Sequence, residues 1–319
     1  MSRILVLGGT GFVGRVVCQH LAERSSSGQV TVPTRRAAHA NAVRLLPTVQ
    51  VVPADVHDDA ALARLVAGHD AVINLVAILH GSPDAFDRVH VQLPRRLAQA
   101  CRQAGVRRLL HVSALGVGAD VASAPSNYLR SKTAGEHVLE QAGLQLTMFR
   151  PSVIFGAEDA FLNLFAKLQA LAPFMPLAGS DARFQPVWVD DVARAIVTAL
   201  DRADSVGKTY ECTGPTVYTL SELVRLAGRW SGNERPQMPL PEFIGRLQAL
   251  MMELLPGQPL MSRDNVDSMK LPNIAGGQLP GLAALGITPT ALEAVAPGYL
   301  GRQHGRARLE KLRAAAGRE

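Results

Sequence analysis

The chain has 319 residues, 47% hydrophobic and 19% charged, which is enough apolar material for a sizeable core and excludes a disordered or fibrous class. Its net charge of +6 is concentrated at one end, because residues 302–319 hold six basic residues against Glu310 and Glu319 and so carry +4 of the total. The remainder has no basic face interleaved with aromatics, no run of the ~18 apolar residues that a membrane span needs, and three distant cysteines (Cys18, Cys101, Cys212); this argues against nucleic-acid binding, a membrane-spanning segment, a disulfide frame or a metal site.

Taken in chain order, the first element is Ile4–Leu7, an apolar run without polar alternation that predicts a strand buried on both faces. It ends in G-x-x-G-x-x-G, with Gly8 to turn the chain, Gly11 to let a bound group approach the backbone, and Gly14 to let the next helix pack on the strand. The amides of that helix's first turn, around Thr10, Gly11, Phe12, Val13 and Gly14, make an anion site of backbone suited to a pyrophosphate. The spacing is one residue longer at its front than G-x-G-x-x-G. On GGTGFVG the chain resembles extended and atypical short-chain dehydrogenases/reductases, a family that binds a dinucleotide on a Rossmann-type sheet. No signal-peptide architecture precedes the first strand, so the cytoplasm is the expected compartment.

A helix from Phe12 to Arg24 leads to a second strand at Gln29–Val32, followed by Arg35 and Arg36. A carboxylate at this strand's end would bond the 2′-hydroxyl of NAD(H), whereas a 2′-phosphate calls for cationic forks. Two arginines and no acid predict NADP(H) in preference to NAD(H). Val49–Pro53 is a third strand leading to Asp55 and Val56, which the resemblance places along the adenine; Asp55 equally suits a cap for the helix starting near Asp58. Ala71–Leu75 is a fourth strand, followed by Val76 and Ala77, small residues that the resemblance places beside the cofactor. Strands alternating with helical segments imply right-handed crossovers and a doubly wound parallel sheet, with the ligand crevice at the strands' carboxyl ends.

A long helix is expected from about Phe86 to Ala104, with Val89, Leu93, Leu97 and Ala100 as its packing stripe and His90 incidental to it. The fifth strand, Arg108–Ser113, precedes Tyr128-x-x-x-Lys132, which on a helix puts hydroxyl and ammonium on one face. A nearby cation favours phenolate and is expected to lower the tyrosine pKa, so that Tyr128 can move a proton while Lys132 bonds ribose. The family adds a hydroxyl residue that orients substrate. Either Ser113 fills that position, completing a Tyr128, Lys132, Ser113 set, or Ala114 does and the set is incomplete. After a sixth strand at Thr147–Arg150, the R-P-x-x-x-x-G turn beginning at Arg150 and Pro151 resembles the family's nicotinamide border.

The expected organisation is a Rossmann domain over 1–156 and a smaller, mainly helical lobe over 157–319, interleaved with the sheet near 187–213, where V-x-V-D-D-V-A joins a strand to a capped helix. Pro236–Pro241 is expected as a proline-spaced connector and Phe243–Leu255 as a Leu/Met-rich helix. The blocks YLRSK-x-x-GE, PSVIFG-x-ED-x-F-x-N, SRDNV and LPGL-x-x-LGI narrow the resemblance to the NADPH-binding accessory subunits of respiratory complex I and their bacterial relatives. That resemblance implies a nucleotide with a structural role, and a respiratory or other membrane-associated complex as partner, peripheral to the inner face of the membrane. The contrasting expectation is an NADP(H)-dependent oxidoreductase or epimerase that uses the Tyr-Lys pair on a substrate the residues do not name.

Overall fold

The computed structural model describes residues 2–24, 28–118, 120–254 and 261–301, so the basic segment from Arg302 lies outside the described residues. A seven-stranded sheet is built from β1 (Ile4–Leu7), β2 (Val30–Thr34), β3 (Val49–Pro53), β4 (Ala71–Asn74), β5 (Arg108–Val112), β6 (Gln145–Pro151) and β7 (Thr209–Cys212). The spatial order is β7-β6-β5-β4-β1-β2-β3, and every pairing is parallel. The chain winds outward from β1 through β2 and β3, then returns past β1 to β4. That reversal opens a crevice between the carboxyl ends of β1 and β4. This is the Rossmann-type doubly wound sheet expected from the alternation of elements.

All four residues of β1 are buried because both faces of the sheet are covered. On one face Leu5, Leu7, Val72, Leu109 and Met148 pack with Leu62 and Leu65 of the Asp59–Val66 helix, Leu93 and Leu97 of the Leu93–Gln103 helix, and Leu139 of the Asn127–Glu140 helix. Each such leucine contributes about 1.5–3 kcal/mol of burial. The alternate side chains, Ile4 and Val6, face the opposite layer, where the Phe12–Glu23 and Val189–Asp201 helices pack together. These elements form a first compact unit of residues up to Ser152, Val189–Cys212 and Ala275–Thr288.

The helix expected from Phe86 to Ala104 is present, and it contains an irregular turn. Pro83–Asp87 is followed by a π-helical turn at Arg88–Gln92 and then by the Leu93–Gln103 helix. Pro94 supplies the reason: it has no N–H to donate to the carbonyl of His90, so the regular ladder cannot run through this point.

The second unit comprises Val153–Trp188, Thr213–Ile274 and residues from Pro289 onward. Its described part is mainly helical, with a core of Phe155, Leu162, Leu177, Leu223, Val224, Leu292 and Ala296. Thr219 and Ser262 start the Leu220–Ser231 and Arg263–Ser268 helices with reciprocal capping boxes. The expected connector at Pro236–Pro241 is instead a strand, Gln237–Leu240, parallel to Met175–Ala178. Its Pro239 is tolerated because this is an edge strand whose outward side needs no donor. Next comes the Glu242–Glu253 helix, which buries Gly245 and Ala249 but leaves Phe243 72% exposed, with Ile244, Leu247 and Met251 exposed beside it and Leu254 exposed just past its end. The last residue expected in that helix, Leu255, lies outside the described residues. No helix among the described residues is long and apolar enough to cross a membrane.

Candidate functional site

The turn after β1 explains its three glycines separately. Gly8 adopts φ +80°, a left-handed conformation that side chains resist, and its carbonyl accepts the Gly11 amide at 3.0 Å. A Cβ on Gly14 would stand 2.2 Å from the Gly8 carbonyl oxygen and 2.6 Å from the Gly9 Cα, so only glycine lets the helix start this close to the strand. Gly11 is exposed at the N-cap, where no side chain caps the helix and no acidic residue occupies the first turn. The first-turn amides of Phe12, Val13 and Gly14 therefore have no capping side chain, with Thr10 half-buried beside them. Uncapped donors at the positive end of a helix dipole, with close access for another group's oxygens, fit a pyrophosphate.

Around this turn the structure gathers other strand ends. A Cβ on Gly8 would come within 3.2 Å of the Val76 amide nitrogen, so the β1 turn and the segment after β4 lie against each other. Asn74 shapes that segment: its side-chain oxygen accepts the Val76 N–H at 3.2 Å and its amide donates to His111 Nδ1 at 3.1 Å. Ala77 is exposed. At the end of β2 the Thr34 hydroxyl donates to the Arg36 carbonyl, leaving Arg35 and Arg36 exposed. Asp55 does not cap a helix; it accepts the His57 N–H at 3.0 Å, and Asp58 caps the Asp59–Val66 helix instead. Val56 is half-buried. Arg96 donates to the His57 carbonyl at 2.7 Å, and Arg96, Arg35 and Arg88 add positive charge that, after burial, holds the His57 imidazole below its ordinary pKa.

The Asn127–Glu140 helix, capped by the Ser126 hydroxyl, carries Tyr128 and Lys132. Lys132 is buried and donates to the carbonyl of Val112 at the end of β5, one residue before Ser113. Ser113 is also buried, and its hydroxyl has no hydrogen-bond partner among the described residues. Pro151 is buried and its carbonyl accepts the Leu115 N–H at 3.0 Å. Burial pushes the Lys132 ammonium down to about 8, partly opposed by Glu136 one turn along. The buried Glu136 is held in turn by the half-buried Arg150 guanidinium through Nε and Nη2, an ion pair linking this helix to β6.

Tyr128 departs from expectation. Burial pushes its hydroxyl up to about 12, opposite to the lowering a nearby cation was expected to cause. Burial strips hydration from the phenolate and so favours the neutral hydroxyl.

His90, which the sequence offered as incidental, sits at the centre of this region. It is buried, its ring centroid is 5.6 Å from that of Tyr128 in an edge-on arrangement, and it also meets Phe86. The available signal was Pro94, which marks the irregular turn that turns His90 inward, together with Gly135, where a Cβ would lie 1.9 Å from the His90 carbonyl oxygen. Glu136 had a signal too, as a carboxylate four residues after Lys132 on the same helix.

Residues 4–213 match the model of the NAD dependent epimerase/dehydratase family. The chain is 35% identical over 295 residues to NADH dehydrogenase [ubiquinone] 1 alpha subcomplex subunit 9, mitochondrial, of Mus musculus, covering 90% of this chain and 77% of the relative. It is 31% identical to a ceramide reductase of Caulobacter vibrioides over 75% of this chain and 74% of that one. Among solved structures, an NADPH-dependent quinone oxidoreductase of Escherichia coli complexed with NADPH superposes with a TM-score of 0.74 at 22% identity, covering 93% of this chain and 99% of that one, a likeness of fold. The glycine turn at the end of β1, the reversal of strand order beside it and these matches lead to one conclusion: the chain belongs to the NAD dependent epimerase/dehydratase family of extended short-chain dehydrogenases/reductases and has the NAD(P)-binding fold of that family.

Proposed function

We propose that the chain binds NADP(H) and holds it as a structural part of a respiratory assembly. The observation that supports this most is the uncapped, glycine-cradled start of the Phe12–Glu23 helix, with the exposed pair Arg35 and Arg36, and no acid, at the end of the neighbouring β2. In this reading Gly8, Thr10, Gly11, Phe12, Val13 and Gly14 surround the pyrophosphate, Arg35 and Arg36 take the 2′-phosphate, and Asp55 and Val56 border the adenine. Val76, Ala77, Lys132 and Pro151 line the nicotinamide end. A structural role is favoured by the state of the Tyr-Lys pair. A tyrosine pushed to about 12 and a lysine engaged by the Val112 carbonyl are poorly matched to proton transfer at neutral pH. The mouse relative is by its name a subunit of NADH dehydrogenase, which supports a respiratory partner.

The second reading is an NADP(H)-dependent oxidoreductase, favoured by the unpartnered Ser113 hydroxyl next to the carbonyl that Lys132 engages, and by the ceramide reductase relative. The cofactor would supply the hydride; Tyr128 would hold and pass the proton, and Ser113 would orient the acceptor. Titration of the purified chain with NADPH and NADH tests the main reading. NADPH is expected to bind at least about tenfold more tightly, and Arg35→Ala with Arg36→Ala to erase most of that difference, since charge-assisted forks to a phosphate are strong bonds. Equal or tighter binding of NADH overturns the selectivity. NADPH oxidation on adding a carbonyl substrate, lost in Tyr128→Phe, would decide for the second reading.

A further inference from the structure

His90 is held by more bonds than a packing residue needs. The Ile78 N–H donates to its Nε2 at 3.2 Å, so in the neutral ring the proton is on Nδ1. Nδ1 lies 2.8 Å from the Ser131 hydroxyl oxygen and donates to it, and that hydroxyl donates onward to the Tyr128 carbonyl at 2.8 Å. Each donor and acceptor along this chain of bonds is used once, so the directions are determined. Its two ends matter. Ile78 directly follows Val76 and Ala77, the backbone that lies against the Gly8 turn, and Ser131 is flanked on its helix by Tyr128 and Lys132.

The surroundings are built to hold the ring. The π turn at Arg88–Gln92 widens the helix, Pro94 leaves the His90 carbonyl without its usual donor, and Gly135 lets the Asn127–Glu140 helix close to within contact of that carbonyl. Phe86 and Tyr128 pack on the ring itself. Burial, with the charge of Lys132, pushes the imidazole down to about 2, so it stays neutral and keeps its one-donor, one-acceptor pattern throughout the physiological range.

We propose that His90 is a positioning residue for the nucleotide site, clamping the Val76–Ile78 segment to the helix that carries Tyr128 and Lys132 through its two ring nitrogens. The two sides of the site are thereby one rigid piece before any ligand arrives, and the nucleotide does not have to order them. This rests on the nucleotide-binding reading above, and it assigns a role to a residue outside the expected contact set.

The test is NADPH titration, followed by fluorescence, of the wild-type chain, His90→Leu, His90→Gln and Ser131→Ala, each checked for folding by circular dichroism. Loss of a buried link of this kind is expected to weaken NADPH about tenfold in His90→Leu. His90→Gln, which can accept from Ile78 and donate to Ser131, is expected to recover most of that loss. A role in packing alone would not produce this rescue, because leucine fills the space at least as well as glutamine. Faster amide exchange at Ile78 is expected in the leucine variant and not in the glutamine variant. If His90→Leu does not fold, Ser131→Ala, which cuts one link only, carries the test with a smaller loss of affinity. Wild-type affinity in a folded His90→Leu or in Ser131→Ala overturns the clamp. A wild-type chain that binds neither NADPH nor NADH overturns the nucleotide reading instead, a result visible before any variant is compared.

Discussion

Lys132 is a cation placed where water does not reach it, and its behaviour with pH follows from that. Its ammonium is brought down from 10.5 to about 8. Between those values the unfolded chain binds a proton that the folded chain has released. The contribution of this lysine to stability therefore rises as pH climbs from about 8 to about 10.5. Nucleotide binding should go the other way, since an anionic ligand prefers the ammonium and affinity should fall as pH rises through about 8. Calorimetric titration of NADPH from neutral pH upward checks this against Lys132→Met, which should bind more weakly and lose the inflection. A wild-type profile as flat as the variant's would remove Lys132 from the ligand's surroundings. The pair of residues was legible in the sequence as a helical spacing, but the direction of the Tyr128 shift was not. Spacing shows that two groups share a face; only packing shows how much water each has lost.

At the scale of elements, the first helix depends on its approach to β1. Gly14→Ala would push a methyl against the Gly8 carbonyl and the Gly9 Cα, both backbone atoms of a tight turn that cannot give way cheaply. We expect a loss of about 1–3 kcal/mol in urea denaturation together with weakened NADPH binding. Gly298→Ala is the contrast, because a Cβ there meets nothing within 4 Å and the residue sits in the Leu292–Leu300 helix with ordinary dihedrals. That change should be neutral or stabilise by up to about 1 kcal/mol through helix propensity alone. A Gly14→Ala chain as stable as Gly298→Ala would mean the turn is not held as closely as its geometry indicates. The same level shows where pattern reading ends. An apolar stripe predicted the helix through residue 94 but not the π turn within it, which the missing amide of Pro94 produced and which directs His90 inward.

For the whole molecule, the proposed respiratory assembly can be tested on the intact chain. The Glu242–Glu253 helix leaves four large apolar side chains exposed, a surface whose burial against a partner would be favourable at roughly 25 cal/mol per Å2. The charges around it do not advertise for an anionic membrane, because Arg246 and Lys270 are already paired with Glu242 and Asp267. In native gels of a detergent extract the chain should therefore migrate with a large respiratory complex. Phe243→Ser with Leu247→Ser should release it while NADPH binding is retained, since these side chains belong to the second unit and the proposed nucleotide contacts to the first. Migration of the wild type as a free chain would count against the assembly and favour the oxidoreductase reading.

The sequence by itself determined the sheet and the place of its crevice, because apolar runs and glycine spacing are local properties that a parallel α/β fold reads in order. It also determined the family, through blocks spread along most of the chain. Tertiary structure decided which groups meet: that Asp58 and not Asp55 caps a helix, that Gln237–Leu240 pairs as a strand, and that Glu136 finds Arg150 on β6. It decided equally that a histidine inside an apolar stripe joins a strand-end segment to the Tyr-Lys helix. Such partners come from distant segments, and the energy of a buried polar group depends on which partner arrives and how much water it displaces. Neither quantity is written in the spacing of one segment.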